Sequence, residues 1–496
     1  MALQLFSSLR YPEDLLSLIR NGLPEGAVKK SVVIIGGGLS GLVSATLLKQ
    51  VGHSVTILEA NDRTGGRVHT IRKPFTGQQY LDVGAMRIPD NHALVFEYIR
   101  RFKLLVNRFN NSNPEDLIFV NNVLTTRKEY EENPDILQFP VDENEKGKTA
   151  TELFLEATQP FIDQYENSTK EQQEKLVEEY GEYSMGEFLH YNPLGTPLSL
   201  NAIRSIGVML GIEGFPDFAF TDILTDIIYP IFSKTIQFYE IQGGNDRLPY
   251  SFVSELKQNL YLNQKVERIK QSHKGVTVYT RNPKSGEHYR VKGDLAIVTL
   301  PFSGLQFMDI IPYRSISFKK WEAIRELINV PAVKIGIEFR RRFWETNQVG
   351  NAISDLPTRF SYVPSHDIGS QGTGVLLASY SWGQDAVLWG SLSKNELTRM
   401  LLKDLAKVYG DEVYTEFMTT VPFNWSRNPY SAGCFTLFTP GQENNLGEVI
   451  RQPEGKLHFA GEHTSSFHGW MEGAIESGIR AAYEVNAADF EKDSNT

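Results

Sequence analysis

The sequence predicts a soluble α/β protein that is built from two or three domains. Its 496 residues are too many for one compact core, because a domain usually holds about 100 to 200 residues. Residues 31–60 alternate between strand, helix and strand patterns, whereas residues 130–230 are rich in Glu, Gln, Lys and Leu. The first pattern is typical of a parallel sheet and the second of helices. We therefore expect a sheet-based fold with a helical insertion.

An amphipathic helix is predicted before the first strand, because Leu15, Leu16, Leu18 and Ile19 fall on one helical face. The βαβ unit follows as "SVVIIGG", "LSGLVSATLLKQVG" and "HSVTILEA", a length of about 30 residues that suits such a unit. Its first part carries no charge and is long enough for a marginal membrane span. Three adjacent glycines after a β-branched run favour a strand, a turn and a helix instead.

Strand patterns resume after the insertion. The stretch "NLYLNQKVERIKQSHKGVTVYTRN" predicts a charged helix or strand and then an alternating hairpin. Residues 294–301, "DLAIVTLP", have the apolar run of a buried strand, which Pro301 ends. Further strands are predicted in "AVKIGIEFRRRFW" and "GTGVLLASYSW". The segment "GKLHFAGEHTSSFHGWMEGAIESGIRAAYEVN" predicts a strand, a loop and a long helix.

Charge and composition argue against several classes of partner. The net charge of −10 disfavours nucleic acid and anionic membranes. Cys434 is the single cysteine, so the chain has no internal disulfide framework and fits a reducing compartment. The first 16 residues contain no apolar run of signal-peptide length, and the tail "DFEKDSNT" is polar. We expect a cytoplasmic protein with no membrane anchor, and no metal site is predicted.

A glycine pattern between the first predicted strand and helix indicates a dinucleotide site. Gly36, Gly38 and Gly41 form G-x-G-x-x-G, and Glu59 follows Gly41 by 18 residues at the end of the second strand. Such glycines let the backbone approach a pyrophosphate at a helix N-terminus, and the carboxylate suits ribose hydroxyls. The pattern predicts a cofactor that contains ADP. The alternative is a glycine-rich turn in an unrelated α/β fold.

A second glycine turn comes directly after this unit. Gly65 and Gly66 precede Arg67 in "ANDRTGGRVHT", so a flexible turn leads into a fixed cation. Such a cation suits the second phosphate of a dinucleotide. Taken alone, the pattern favours a solvated arginine after a loop.

Arg87 lies in the apolar segment "DVGAMRIPDN", residues 82–91. Its planar guanidinium can bind a carboxylate through two parallel hydrogen bonds and so fix the orientation of the ligand. A surface arginine and a structural ion pair are the alternatives, and the segment by itself leaves the choice open.

Three separated blocks of the sequence resemble the flavin-containing amine oxidase superfamily, namely "VVIIGGGLSGL", "EANDRTGGRVHT" and "FAGEHTSSFHGWMEGAIESGIRAA". Within the superfamily the sequence is most similar to the L-amino-acid oxidase family, and the match is poorest in residues 130–230. The resemblance implies FAD as the cofactor and three domains. These are a Rossmann-like FAD-binding domain of discontinuous segments (1–75, 243–325 and 425–490), a mixed-sheet substrate-binding domain (76–130, 231–242 and 326–424) and a helical domain (131–230).

The resemblance also implies where FAD is bound. The loop around Leu39 and Ser40 holds the pyrophosphate, Glu59 holds the adenosine ribose, and the backbone of Val266 contacts adenine. Glu462 lies near the ribityl and phosphate groups, and the last helix begins against the flavin. The implied cofactor residues are Gly36, Gly38, Leu39, Ser40, Gly41, Glu59, Ala60, Gly66, Arg67, Gly84, Ala85, Met86, Arg87, Val266, Trp425, Glu462, Gly469, Trp470, Met471, Glu472, Gly473 and Ala474.

The substrate-binding residues come from the same resemblance. Arg87 makes a paired contact with the substrate α-carboxylate, and the hydroxyl of Tyr380 reaches the same group. Trp470 and Trp425 wall the pocket, and the Gly469 carbonyl accepts a hydrogen bond from the amine. Without the resemblance, the aromatic residues would be interpreted as core packing.

Lys334 lies in "NVPAVKIGIEF" and shares a predicted strand face with the small residues Ala332 and Gly336. The resemblance implies that it holds a water beside flavin N5 and that its charge assists electron transfer to oxygen. The residues alone favour a solvated strand face equally well. The implied catalytic residues are therefore Arg87, Lys334, Tyr380 and Trp470.

The function implied is oxidation of L-amino acids by O2, with hydride transfer from the substrate Cα to flavin N5. The products are 2-oxo acids, ammonia and hydrogen peroxide. An amino-acid 2-monooxygenase, an amine or polyamine oxidase and a non-catalytic flavoprotein are the alternatives. Arg87 favours an amino acid over a simple amine, because an amine has no carboxylate to bind. A homodimer is also implied.

One feature of the family is missing from the sequence. Some members carry a histidine in the helical region that is proposed to help deprotonate the substrate, but residues 200–240 contain none. The nearest is His190. His468 adjoins the "GW" of the last block, but its neighbours are equally consistent with a packing or loop-capping role, and we assign it no function from the sequence.

Overall fold

The computed structural model describes residues 9–25, 28–228 and 236–488. The outer ends of the predicted FAD-binding segments, the end of the predicted helical domain and residues 231–235 of the predicted substrate-binding domain lie outside the described residues. The polar tail from residue 489 onward does so as well.

A five-stranded parallel sheet contains the predicted βαβ unit. The β-branched run Ser31–Ile35 is its central strand, and it pairs with Ser54–Leu58 on one side and with Leu295–Val298 on the other. The glycine turn leads into helix Leu39–Gln50, which is buried from Leu39 to Leu48. In order across the sheet the strands are Leu260–Tyr261, Ser54–Leu58, Ser31–Ile35, Leu295–Val298 and Leu457–Phe459. The prediction of a strand, a turn and a helix is confirmed.

The parallel direction of this sheet indicates at which edge the candidate site begins. Carboxyl ends of parallel strands meet at one edge, where ligands bind in open α/β sheets. Ile35, Leu58 and Val298 are in register, and Val298 is in turn in register with Phe459. The residues that follow each strand therefore come together at this edge, and Glu59 is one of them.

A seven-stranded mixed sheet forms the second large layer. Strand Ala332–Phe339 is buried along its whole length and lies between strands Phe417–Asn424 and Gly374–Trp382. Lys334 is in register with Tyr380 on one neighbour and with Phe423 on the other. In order across the sheet the strands are Phe417–Asn424, Ala332–Phe339, Gly374–Trp382, Phe360–Tyr362, Ala352–Ser354, Leu117–Val120 and Val123–Thr126.

Smaller sheets complete the strand content of the described residues. The stretch predicted as a charged helix or strand is the strand Lys265–Ser272, which pairs with Gly275–Arg281 in the predicted hairpin. The four-stranded sheet runs His288–Gly293, Gly275–Arg281, Lys265–Ser272 and Asp309–Ile311. The others are Ile88–Pro89, Phe238–Ile241 and Val106–Arg108, the pair Thr70–Ile71 and Leu81–Asp82, and the pair Ile328–Asn329 and Thr436–Leu437.

The segment predicted to be a helical insertion is helical. Thr149, Thr169 and Ser184 each begin a helix with a reciprocal capping box, in which the side chain and the residue three positions later satisfy each other's backbone N–H groups. The helices are Ala150–Glu166, Lys170–Tyr180, Met185–Tyr191, Leu200–Leu210 and Phe220–Asp222, the last continued by the π-helix Ile223–Ile228. The division into three domains with the boundaries given above stays a prediction.

The remaining helices pack around the two main sheets. The predicted N-terminal helix is Glu13–Asn21, and it buries Leu15, Leu18 and Ile19 while Leu16 is half-buried. The others are Ala93–Arg101, Arg127–Glu132, Arg247–Leu256, Phe302–Leu305, Phe318–Glu326, Phe343–Thr346, Gly383–Ser391, Lys394–Tyr409, Glu412–Thr415, Gln442–Leu446 and Met471–Ala487. Among the described residues no helix has the length and apolar character needed to cross a membrane.

Candidate active site

A cavity of about 650 Å³ joins the edge of the parallel sheet to the face of the seven-stranded sheet. All residues predicted for the cofactor and the substrate line it, except Gly41, Glu472 and Gly473. The volume is within the usual range for sites that enclose a small molecule, about 300 to 1,000 Å³. Residues that are far apart in the sequence thus contribute to one space.

The glycine turn forms the cavity wall where the helix Leu39–Gln50 begins. Gly41 allows the tight turn, because a Cβ there would lie 2.1 Å from the carbonyl oxygen of Gly36. Gly38 lines the cavity, and no atom lies within 4 Å of the place that its Cβ would occupy. The backbone is therefore open to a phosphate at a helix N-terminus, where N–H donors favour anions. This cradle fits the pyrophosphate of FAD.

Glu59 is held at the edge of the sheet by backbone donors. Its Oε2 accepts the N–H of Gly37 at 2.7 Å, and its Oε1 accepts the N–H and the side-chain Nδ2 of Asn61 at 2.8 and 2.7 Å. The carboxylate is buried yet lines the cavity. Its position is thus fixed at the cavity wall, and its role toward an adenosine ribose stays a prediction.

We expect Glu59→Gln to weaken FAD binding by about 10-fold, because the amide replaces an acceptor oxygen among fixed donors. The equilibrium dissociation constant of FAD, measured by adding the cofactor to apoprotein, tests this. Asp62→Asn is the matched control, because Asp62 is exposed and pairs with Lys284 outside the cavity. Equal dissociation constants for the two variants would contradict the role of Glu59.

Arg67 and Glu462 join the two ends of the chain across the cavity. The Nη1 of Arg67 donates to Oε1 of Glu462, and the backbone N–H of Gly469 donates to Oε2 at 3.2 Å. Gly84 lies against the same arginine, since a Cβ there would be 2.0 Å from the Arg67 carbonyl oxygen. The segment that carries Arg87 therefore packs directly on the segment of the second glycine turn.

Arg87 is 8% exposed and lines the cavity. Its Nη1 donates to Oδ1 of Asn111, and its guanidinium lies 5.5 Å from the ring centroid of Phe238 and 5.9 Å from that of Tyr362. Within the described ranges, no carboxylate forms an ion pair with it. A buried cation that faces a cavity without an anionic partner is suited to bind an anionic ligand.

Lys334 and Tyr380 face the cavity from neighbouring strands. The Lys334 Nζ donates to the carbonyl oxygen of Gly84 at 2.7 Å and of Asp82 at 3.3 Å, and it lies 4.4 Å from the ring centroid of Tyr380. Burial lowers the pKa of Lys334 to about 7 and raises the pKa of Tyr380. Tyr380 is thus a neutral hydroxyl at pH 7, whereas Lys334 is close to its titration point.

The two predicted tryptophans form parts of the wall. The indole Nε1 of Trp425 donates to the Val83 carbonyl oxygen at 2.8 Å, which fixes its ring beside the segment that leads to Arg87. Trp470 meets His92 edge to face, with the ring centroids 5.0 Å apart. Both rings line the cavity.

The three predicted residues that do not line the cavity have other contacts. The Glu472 carboxylate accepts the backbone N–H groups of Leu94 and Val95, each at 2.9 Å, and so satisfies the start of another helix. Gly473 packs closely on Ser465, and Gly41 shapes the turn described above. A sequence motif indicates that a segment lies near a cofactor, but only packing shows which of its side chains turn away.

Sequence reasoning missed part of the cavity wall. The missed aromatic and apolar residues include Leu210, Phe215, Phe360, Tyr362, Trp382 and Phe435. Strand alternation was an available signal for one of them, because Trp382 is two residues after Tyr380 and faces the same side, with ring centroids 4.2 Å apart. The helical residues gave no such signal. His92, also missed, is the one histidine among the lining residues, and burial lowers its pKa to about 3.

The parallel sheet, the glycine turn and the carboxylate of Glu59 at the edge of the cavity are together typical of a dinucleotide-binding protein. The sequence profile described as flavin containing amine oxidoreductase matches residues 39–486. The chain therefore belongs to the flavin-containing amine oxidoreductase family, and FAD is its cofactor. The predicted family resemblance, α/β fold class and cofactor are confirmed.

Curated relatives match nearly the whole chain. YobN of Bacillus subtilis (strain 168), provisionally named an L-amino-acid oxidase, is 47% identical over 477 residues, which cover 96% of this chain and 98% of that protein. An L-amino-acid oxidase of Siganus canaliculatus is 38% identical over 96% of this chain and 88% of its own length. The L-amino-acid oxidase BmooLAAO-I of Bothrops moojeni is 33% identical over 96% and 93% of the two chains.

Solved structures share the fold. Cyclohexylamine oxidase from Brevibacterium oxydans IH-35A has a TM-score of 0.73 at 19% identity, covering 92% of this chain and 99% of its own. A putrescine oxidase double mutant has a TM-score of 0.73 at 18% identity, with 93% and 100% covered. At these identities the likeness concerns the architecture alone.

Proposed function

We propose that this enzyme oxidises L-amino acids with O2 to 2-oxo acids, releasing ammonia and hydrogen peroxide. The observation that carries the proposal is Arg87, a buried guanidinium that faces the cavity and forms no ion pair within the described ranges. A substrate carboxylate would supply the missing anion. The names of the curated relatives support the same substrate class.

The substrate is oriented by contacts at three places. Its carboxylate lies on the guanidinium of Arg87, and the hydroxyl of Tyr380 donates to the same group. The rings of Phe238 and Tyr362 lie near the guanidinium and limit its movement, which favours a paired contact. The Gly469 carbonyl accepts a hydrogen bond from the amine, and Trp470 limits the space beside it.

When bound, FAD supplies the acceptor for the hydride of the substrate Cα and passes the electrons to O2. The contribution of the protein is position and electric field. Contacts to both the carboxylate and the amine would fix the orientation of Cα, and such fixing would select one enantiomer. Lys334 is held beside Tyr380 by hydrogen bonds to two backbone carbonyl groups. Its ammonium group therefore adds a hydrogen-bond donor and a titratable charge to the side of the cavity that Tyr380 lines.

The substrate class is tested by a peroxide-coupled screen of the twenty L-amino acids, their D-forms and common amines. We expect peroxide with several L-amino acids and none with D-forms or amines. Product analysis must give a 2-oxo acid and ammonia in equal amounts. Oxidation of amines alone would indicate an amine oxidase, an amide with carbon dioxide would indicate a monooxygenase, and bound flavin that no substrate bleaches would indicate a non-catalytic flavoprotein. The homodimer and the cytoplasmic location stay predictions.

Tyr380→Phe is expected to raise KM for amino acids by about 10-fold, because one hydrogen bond to a charged group is lost. The ring and its contact with Lys334 remain, so kcat should change less than KM. Steady-state kinetics with the best L-amino acid measure both. Tyr409→Phe is the control, because Tyr409 is a buried tyrosine that does not line the cavity. A KM unchanged in Tyr380→Phe would remove this residue from the carboxylate site.

A further inference from the structure

We propose that Asp222 and His468 form a buried pair that positions Gly469 and Trp470, so that the helical segment sets the geometry of the substrate pocket. The inference rests on the proposed function for the roles of Gly469 and Trp470. Asp222 and His468 do not line the cavity, so they act through the segment that does.

The geometry of the pair is specific. The Nδ1 of His468 lies 3.1 Å from Oδ1 of Asp222, and the side chains are 2% and 5% exposed. The Oδ2 of Asp222 accepts the backbone N–H of Phe438 at 2.6 Å. In the tautomer that satisfies this contact, the Nδ1 of His468 donates to the carboxylate oxygen of Asp222. Asp222 therefore serves two donors, one on each oxygen.

Asp222 belongs to the helical segment, whereas His468 belongs to the loop before the last helix. Asp222 ends the short helix Phe220–Asp222, whose neighbour Ala219 donates its N–H to the Phe438 carbonyl at 2.9 Å. The ring of His468 packs on that of Phe438, with centroids 4.8 Å apart. The pair thus joins two parts of the chain that are 246 residues apart.

The loop is fixed from two sides. Glu462, which is paired with Arg67 on the cofactor side, accepts the N–H of Gly469. On the other side Asp222 holds the preceding residue, His468. Gly469 has a φ of +80°, a conformation that glycine adopts readily. The position of His468 therefore helps to set where the Gly469 carbonyl and the ring of Trp470 point. We expect loss of the contact at His468 to shift this peptide, and with it the Gly469 carbonyl and the ring of Trp470.

A second buried pair offers a matched control. The Nδ1 of His458 lies 2.9 Å from Oε2 of Glu484, with both side chains buried and neither lining the cavity. Like Asp222 and His468, it joins a histidine to a carboxylate on another element. Its histidine precedes no predicted substrate residue. Variants of this pair therefore report the cost of breaking a buried pair alone.

The experiment compares His468→Phe, His468→Asn, Asp222→Asn and the control His458→Phe as FAD-bound enzymes. Phenylalanine keeps the packing but removes the donor, whereas asparagine can place an N–H near the position of Nδ1. In Asp222→Asn one amide oxygen must serve two donors. The measurements are the melting temperature, KM and kcat for the best L-amino acid, and the visible circular dichroism of the bound flavin.

We expect His468→Phe and Asp222→Asn to raise KM by about 10-fold or more, with a smaller change in kcat and an altered flavin dichroism. His468→Asn should restore KM to within about 3-fold of the wild type. The control should lower the melting temperature by a similar amount with KM and dichroism unchanged.

A KM and dichroism in His468→Phe that match those of the control would overturn the inference. So would a His468→Asn variant that is as impaired as His468→Phe. If the wild type oxidises no amino acid, the proposed function fails, and the dichroism of the variants still decides the inference. A flavin signal altered only in the Asp222 and His468 variants would then support positioning without that function.

Discussion

Arg87→Ala is expected to raise KM for L-amino acids by about 100-fold or more, the cost of removing one partner of a buried charge pair. The cavity would retain Tyr380 as the single side chain predicted to hold the carboxylate. Because the guanidinium binds the unreactive end of the substrate, kcat at saturation should fall less than kcat/KM. Steady-state kinetics with the best substrate of the screen measure this.

Arg87→Lys separates geometry from charge. Lysine keeps the cation but lacks the planar fork that lies near the rings of Phe238 and Tyr362, so an intermediate KM is expected. Arg342→Lys is the matched control, since Arg342 is a buried arginine that pairs with Glu345 and does not line the cavity. A KM of Arg87→Ala close to the wild-type value would exclude Arg87 as the carboxylate site and remove the main support for the proposed function.

Lys334→Met is expected to slow reoxidation of the reduced enzyme by O2 by about 100-fold. Removing one preorganised polar group from a buried site typically lowers a rate by about this factor. Lys320→Met is the matched control. Lys320 is also buried, binds the carbonyl groups of Ile450 and Gln452, and has its pKa lowered to about 7 by burial, but it does not line the cavity. Stopped-flow mixing of substrate-free reduced enzyme with O2 isolates this step. Equal rates in the two variants would contradict the role of Lys334.

The pH dependence of the same step follows from the pKa of Lys334. Its folded-state pKa of about 7 lies below the ordinary lysine pKa of 10.5, so the charge is present below about pH 7 and is lost above it. Reoxidation by the wild type should therefore slow as pH rises through about 7, and Lys334→Met should lack this step. The free energy of unfolding changes in the opposite direction. The unfolded chain binds more protons between about pH 7 and 10.5, so the cost of burying this lysine falls across that range.

The sequence alone indicated the segments that build the site. The βαβ unit, the glycine turn and Glu59 are local patterns, because a tight turn, a helix start and a strand end each depend on neighbouring residues. For the same reason the strand that carries Lys334 and the final loop and helix were predicted from alternation and apolar runs. The resemblance then assigned roles that these patterns left open at Arg87 and Tyr380.

Tertiary structure alone decided which partners these residues have. Sequence patterns did not decide whether Arg87 binds a ligand carboxylate or forms a structural ion pair. The structure shows a buried guanidinium that is hydrogen-bonded to Asn111 and forms no ion pair within the described ranges. The structure also shows that Glu472 points away from the cavity and that Asp222 contacts His468. Contacts between residues hundreds of positions apart depend on how helices and sheets pack, and packing leaves no periodic signal in the chain. Interactions between neighbouring residues thus determined the helices, strands and turns. Long-range packing determined which partners their side chains have, and so what chemistry they can perform.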